Sequence, residues 1–151
     1  PAGNVLNSGT GFLNPVEETT LTIPSTATKV ITVGAYDARF DQAAAFSGRG
    51  YTRATNQVKP DLVAPGVEIM SCAPGGGYQV RTGTSMATPF VTGSAALLMQ
   101  WGIVNGNDAY LYGEKMKAYL IRGARKLPGF TVYPNPVLGW GALCTANSIP
   151  R

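Results

Sequence analysis

The chain has 151 residues, of which 44% are apolar and 13% charged, and its formal net charge is +4. Those totals describe one globular unit long enough to bury a core, and they exclude a disordered, charge-rich tail. The cations are scattered, and their densest group, Arg122, Arg125 and Lys126, falls at a predicted helix end, so no basic stripe of the kind that binds nucleic acid is present.

The chain opens on Pro1-Ala2-Gly3-Asn4. Asn after Gly is turn chemistry, and its carboxamide is also a hydrogen-bond donor. Residues 5–16 read as loop, with Asn7-Ser8-Gly9, Gly11 and Asn14-Pro15 as breakers. Thr20 to Ile23 alternates and predicts a short strand, followed by a turn from Pro24 to Thr28. Lys29 to Tyr36 is a β-branched run of strand length and reads as buried. Phe40 to Tyr51 reads as a turn leading into an exposed loop. Lys59 to Gly66 carries a proline pair around Asp61. Val67 to Cys72 and Tyr78 to Arg81 read as strands joined by the glycine-rich turn Ala73–Gly77. Three glycines suggest a phosphate cradle, but no Gly-Lys-Ser/Thr follows, so a tight turn is the reading.

Gly83-Thr84-Ser85-Met86-Ala87-Thr88-Pro89 then turns loop into helix. Thr84 or Ser85 is a suitable N-cap. A serine there places its hydroxyl at a chain reversal and its N–H at the positive end of a helix, where a developing anion is favoured. The helix is predicted over Ser85–Trp101; it is apolar nearly all round and is expected to be buried on most sides. Pro89 has no N–H for the carbonyl of Ser85. A second helix is predicted over Asp108–Arg122 with a Leu111, Met116, Tyr119, Leu120 core face and Gly123 as its stop. A short helix follows near Leu143–Ser148. No segment reads as a membrane span or a signal peptide, and Cys72 and Cys144 read as free buried thiols, with neither disulfide-framework nor metal spacing.

The Gly83–Pro89 heptapeptide resembles the nucleophile segment of the subtilisin-like serine proteases, the subtilases. Lys59-Pro60-Asp61-Leu62-Val63-Ala64-Pro65-Gly66 and Gly139-Trp140-Gly141 resemble further family segments, in the family's order, and Pro1–Asn4 resembles its oxyanion segment. The loop after Asn4 lacks a further glycine common in the family; Phe90 stands where a histidine is common, and Cys144 where an aspartate or asparagine is frequent.

The resemblance implies an α/β fold: residues 1–151 would be the C-terminal portion of a subtilase catalytic domain, a mostly parallel sheet flanked by helices. It implies that Ser85 is the nucleophile and that Asn4 donates to the oxyanion, with Ala2, Gly3, Thr82 and Gly83 lining the substrate cleft. Asp61 is read as structural, bonding turn amides, because the family's triad aspartate lies far upstream. The sequence contains no histidine, so the general base and the aspartate that orients it are expected on an upstream half absent from this chain. The chain alone is expected to be inactive and to lie beside that half or a second copy. The implied substrate is a polypeptide; no nucleic-acid or membrane partner and no metal are expected. Some relatives bind calcium near Lys59–Gly66, but no run of oxygen ligands there demands it. A secreted or cell- or spore-associated bacterial location is expected. The competing expectation is a catalytically dead subtilase that serves as a binding or regulatory module.

Overall fold

The computed structural model describes residues 11–150. Its centre is a three-stranded sheet of order β2-β1-β5, in which β1 (Val33–Asp37) and β5 (Leu62–Pro65) run parallel and β2 (Gln42–Ala43) is antiparallel at the edge. Side chains alternate across a strand. Leu62 and Ala64 therefore join Ala35 on one face, while Val63 joins Tyr36 on the other. The first face is covered by α1 (Thr84–Met99) and α2 (Gly113–Gly123) through Ala87, Val91, Leu98, Met116 and Leu120. The second is covered by the C-terminal loop through Leu127, Leu138 and Ala142. Helix and loop layers around a parallel strand pair make an α/β fold, and the described sheet is mixed.

Two small antiparallel pairs lie outside this sheet: β3 (Gly50–Tyr51) with β4 (Val58–Lys59), and β6 (Ile69–Cys72) with β7 (Tyr78–Arg81). The β6–β7 hairpin turns through Gly75, Gly76 and Gly77, all at positive φ. Thr20–Ile23 forms no strand; the Thr20 N–H bonds the Arg49 carbonyl and a turn begins at Ile23. The run Lys29–Tyr36 enters the sheet only at Val33, because Thr32 turns its amide to the Asp61 carboxylate, 2.7 Å away.

α2 starts five residues later than its sequence predicts. The Asp108 carboxylate accepts from Lys115 Nζ at 2.6 Å and Tyr119 Oη at 2.8 Å, and its carbonyl accepts the Leu111 N–H to close a turn at residues 109–110 before the helix. α1 continues as a π-helical turn, Gln100–Val104. Together they run 21 residues, long and apolar enough by length and composition to cross a membrane, which corrects the reading that no segment is. One side of it packs on the sheet through Ala87, Val91 and Leu98. Only one stripe of α1 is buried, Ala87, Val91, Ser94 and Leu98. Phe90, Leu97, Met99 and Ile103 stay exposed because the sheet covers a single side of a helix that is apolar all round. The short helix α3 (Thr145–Ser148) is tied to α1 by Ser94 and Thr145, whose hydroxyls meet at 2.6 Å.

Asp61 anchors this arrangement. It is 5% exposed; it accepts from Lys59 Nζ at 2.7 Å and from the Thr32 N–H, and it pairs with the Lys117 ammonium at 2.8 Å. The structural reading of Asp61 held for the Thr32 amide, and two ammonium groups extend it. Burial pushes the Lys59 ammonium below the ordinary lysine range, a shift that Asp61 opposes and Lys117 reinforces. Asp61 also accepts the Trp140 N–H on its main-chain carbonyl at 2.9 Å. Gly139, at φ +58, lets the C-terminal loop lie against this turn: a Cβ there would fall 2.1 Å from the Pro60 carbonyl oxygen. Replacing Asp61 by Ala leaves two ammonium groups without their carboxylate, one of them fully buried. Loss of one partner of a buried pair costs about 3–5 kcal/mol, so the urea midpoint of Asp61→Ala is expected to fall steeply.

Three carboxylates elsewhere, Asp37, Asp41 and Asp108, are held below the ordinary aspartate value of 3.8, chiefly by hydrogen bonds to Arg39, Arg125 and Lys115 respectively. A depressed carboxylate contributes stability that is present above its unfolded value and lost as pH falls through its folded value. Thermal midpoints should therefore stay level down to about pH 4 and fall below it. In Asp41→Asn the acid decline should be shallower.

Candidate functional site

Ser85 is the second residue of α1, and its side chain is exposed. Its N–H is one of the first-turn donors that an α-helix leaves without an internal partner. The cap differs from expectation. Gly83 holds the N-cap position with φ 154 and ψ 163, and no side-chain cap bond forms, so neither Thr84 nor Ser85 caps the helix. The Ser85 hydroxyl is therefore not committed to capping. Pro89 sits inside the helix without breaking it.

The loop before Ser85 is fixed from the sheet. Gly66, just beyond β5, accepts the Gly83 N–H on its carbonyl at 2.8 Å. A Cβ on Gly66 would lie 2.6 Å from the Ala35 Cβ and 3.0 Å from the Gly83 carbonyl oxygen, so only glycine permits this approach. Thr82 Oγ1 accepts the Glu68 N–H at 2.9 Å, which ties the end of β7 to the start of β6.

Two clefts meet at Ser85. One, of about 510 Å³, lies between α1 and the β6–β7 hairpin and is lined by Ser85, Met86, Phe90, Met70, Cys72 and Arg81, among others. The other, of about 480 Å³, runs along the exposed side of α1 past Thr88, Pro89 and Thr92. The expected cleft residues Thr82 and Gly83 shape the loop and line neither of these two clefts. Asn4, Ala2 and Gly3 lie outside the described residues. The hairpin wall, with Met70, Cys72 and Arg81, escaped sequence reasoning. Its one signal was a hairpin ending four residues before the serine, which fixes where its side chains stand. Cys72 is exposed and Cys144 half-buried, so neither is the buried thiol that was expected.

No His, Cys, Asp or Glu cluster capable of holding a metal occurs among the described residues. Near Lys59–Gly66, where the resemblance places calcium in some relatives, both carboxylate oxygens of Asp61 are already taken by ammonium groups. Calcium requires six to eight oxygens, and this donor set does not fit it. A serine hydroxyl at a helix N-terminus, open to two clefts, can serve as a nucleophile if a base reaches it. The chain has no histidine to do so.

The chain is similar to known proteases over most of its length. It is 34% identical to the serine protease AprX of Bacillus subtilis (strain 168) across 99% of this chain and 36% of that protein. The solved structure of the Clostridium perfringens CspB protease superposes with a TM-score of 0.89 at 48% identity, covering 95% of this chain and 30% of that one. The self-cleaved protease domain of PatA superposes with a TM-score of 0.64 at 30% identity, covering 83% and 42%. Other matches include relatives named as an intracellular and as an extracellular protease. The chain thus spans about a third of the length of AprX and of the CspB chain. The profile of the subtilase family, peptidase S8, matches residues 2–141. The chain belongs to the subtilase family of serine proteases.

Proposed function

We propose that this chain carries the nucleophile and oxyanion residues of a subtilisin-like serine endopeptidase and gains activity only with a base supplied from elsewhere. The observation that carries the reading is the position of Ser85, an exposed hydroxyl at the start of α1, on the wall of two clefts and behind a loop held by Gly66. In this reading Ser85 Oγ attacks the scissile carbonyl carbon while a base takes its proton. The negative oxygen is held by the Ser85 N–H and the Asn4 carboxamide. Collapse expels the amine, which receives the proton from the base, and water then hydrolyses the ester on Ser85 by the same route in reverse. Ala2, Gly3, Thr82 and Gly83 flank the polypeptide substrate, and no cofactor takes part.

The base is a histidine oriented by an aspartate, both on an upstream half of the same protein, and the chain lies beside that half or beside a second copy. The large apolar residues that α1 leaves exposed on either edge of its buried stripe, Phe90, Leu97 and Met99, support a covering segment. The location is secreted or cell- or spore-associated in this reading. The extracellular relative favours it, and the intracellular one marks the competing placement.

Treatment with a fluorophosphonate tests the proposal. The protein that includes the upstream half should label stoichiometrically at Ser85 and cleave casein, and Ser85→Ala should lose both. The isolated chain should remain unlabelled, because a serine without its base has too little alkoxide to react. Absence of labelling and cleavage in the longer protein would instead favour a catalytically inert binding module.

A further inference from the structure

The β6–β7 hairpin brings one unpaired charge to the surroundings of Ser85. Its register sets Ile69 opposite Arg81 and Ser71 opposite Gln79, so these four side chains share a face. All four line the cleft that opens at Ser85, and Met86 and Phe90 of α1 line it as well. Arg81 is the one charged residue on that wall among the described residues. It is exposed, and its guanidinium makes a single side-chain bond among the described residues, from Nη2 to Gln79 Oε1 at 3.3 Å. The acid beside it in the ladder, Glu68, adjoins Ile69 and is taken by Arg39, which also holds Asp37. The base of the hairpin is tied where Thr82 Oγ1 accepts the Glu68 N–H at 2.9 Å, so Arg81 stands on a tethered strand end. The second cleft at Ser85, past Thr88, Pro89 and Thr92, carries no charge.

An arginine offers a planar fork of N–H donors that matches a carboxylate. A cation on an otherwise uncharged wall attracts an acid and repels an ammonium group. We infer, resting on the reading of Ser85 as the nucleophile, that Arg81 selects the substrate: on the hairpin side of Ser85 the site takes a polypeptide with an acidic side chain close to the scissile bond. A glutamate side chain meets both parts of the wall, its methylenes against Met86 and Phe90 and its carboxylate at Arg81. A lysine in the same place sets two cations together. Because the second cleft is uncharged, the preference belongs to one side of the scissile bond, whereas a general attraction from the net charge of +4 would act on both sides.

The experiment uses the protein that includes the upstream half and peptides of one sequence, with Glu, Gln or Lys placed in turn at each residue flanking the cleaved bond. On one side only, the Glu peptide should exceed its Gln twin in kcat/KM by about three- to fivefold, the range of a solvent-accessible ion pair, with the Lys peptide slowest. High salt should shrink that ratio toward unity. In Arg81→Glu the order should reverse, with Lys ahead of Glu. Each ratio is taken within one preparation, so a variant that folds only in part cannot imitate the result. If the variant fails to fold, the salt series on the unsubstituted protein reads the same charge. Fluorophosphonate labelling of Ser85 is followed alongside. Labelling with equal rates for Glu and Gln, an equal preference on both sides of the bond, or an unreversed order in Arg81→Glu would overturn the inference and leave Ser85 as the nucleophile. Absence of both labelling and cleavage would remove the nucleophile and the inference together.

Discussion

One carboxylate organises this part of the molecule. Asp61 joins pieces of chain that are distant in sequence: Thr32 at the mouth of β1, Lys59 beside the cis-linked Pro60, Lys117 on α2 and, through its main-chain carbonyl, Trp140 of the C-terminal loop. Three of these contacts are hydrogen bonds and the one to Lys117 is an ion pair, and each satisfies a group that would be costly to leave unpaired. With Asp61 fixed, β5 has its position, because Leu62 follows directly and the two faces of the sheet then alternate into their separate cores.

The loop before Ser85 inherits that position. β5 ends at Pro65, Gly66 holds the Gly83 amide, and Ser85 stands two residues further on. Few flexible links intervene between the buried charge cluster and the exposed hydroxyl. A site that must hold a reacting atom to a fraction of an ångström gains from such direct support by rigid elements. The rest of α1 shows the opposite design. It leaves Phe90 and Leu97 exposed along one edge of the buried stripe and Met99 along the other, with Ile103 exposed in the π-helical turn, and exposed apolar surface of that extent marks an interaction surface. Rigid support below the serine and an open surface beside it agree with a chain that spans about a third of its relatives.

Much of this was legible in the residues. The Gly83–Pro89 motif located Ser85, the glycine turn and β-branched runs located the β6–β7 hairpin, and the proline-flanked Asp61 read as structural. What failed has physical causes. Propensity favoured Thr84 or Ser85 as the cap, yet the close approach of Gly66 selected Gly83 through space, not sequence. Apolar content predicted an α1 buried on most sides, but composition does not reveal how many sides a sheet covers. Asp108 bonds Lys115 and Tyr119 and closes a turn ahead of α2, an arrangement invisible to periodicity. The cysteine thiols looked buried by residue type, while Cys72 faces out because of its place on a hairpin. Lys59 is the reverse case, a lysine buried by a partner that only the folded chain brings close.

Hydrogen exchange read amide by amide, in Asp61→Asn compared with the unsubstituted protein, measures this coupling most directly. If the buried carboxylate positions the serine loop, the Thr32, Trp140 and Gly83 amides should lose protection together. Loss at Thr32 and Trp140 with Gly83 protected as before would show that the loop is held independently of Asp61, and would contradict the dependence of the site on that single charge.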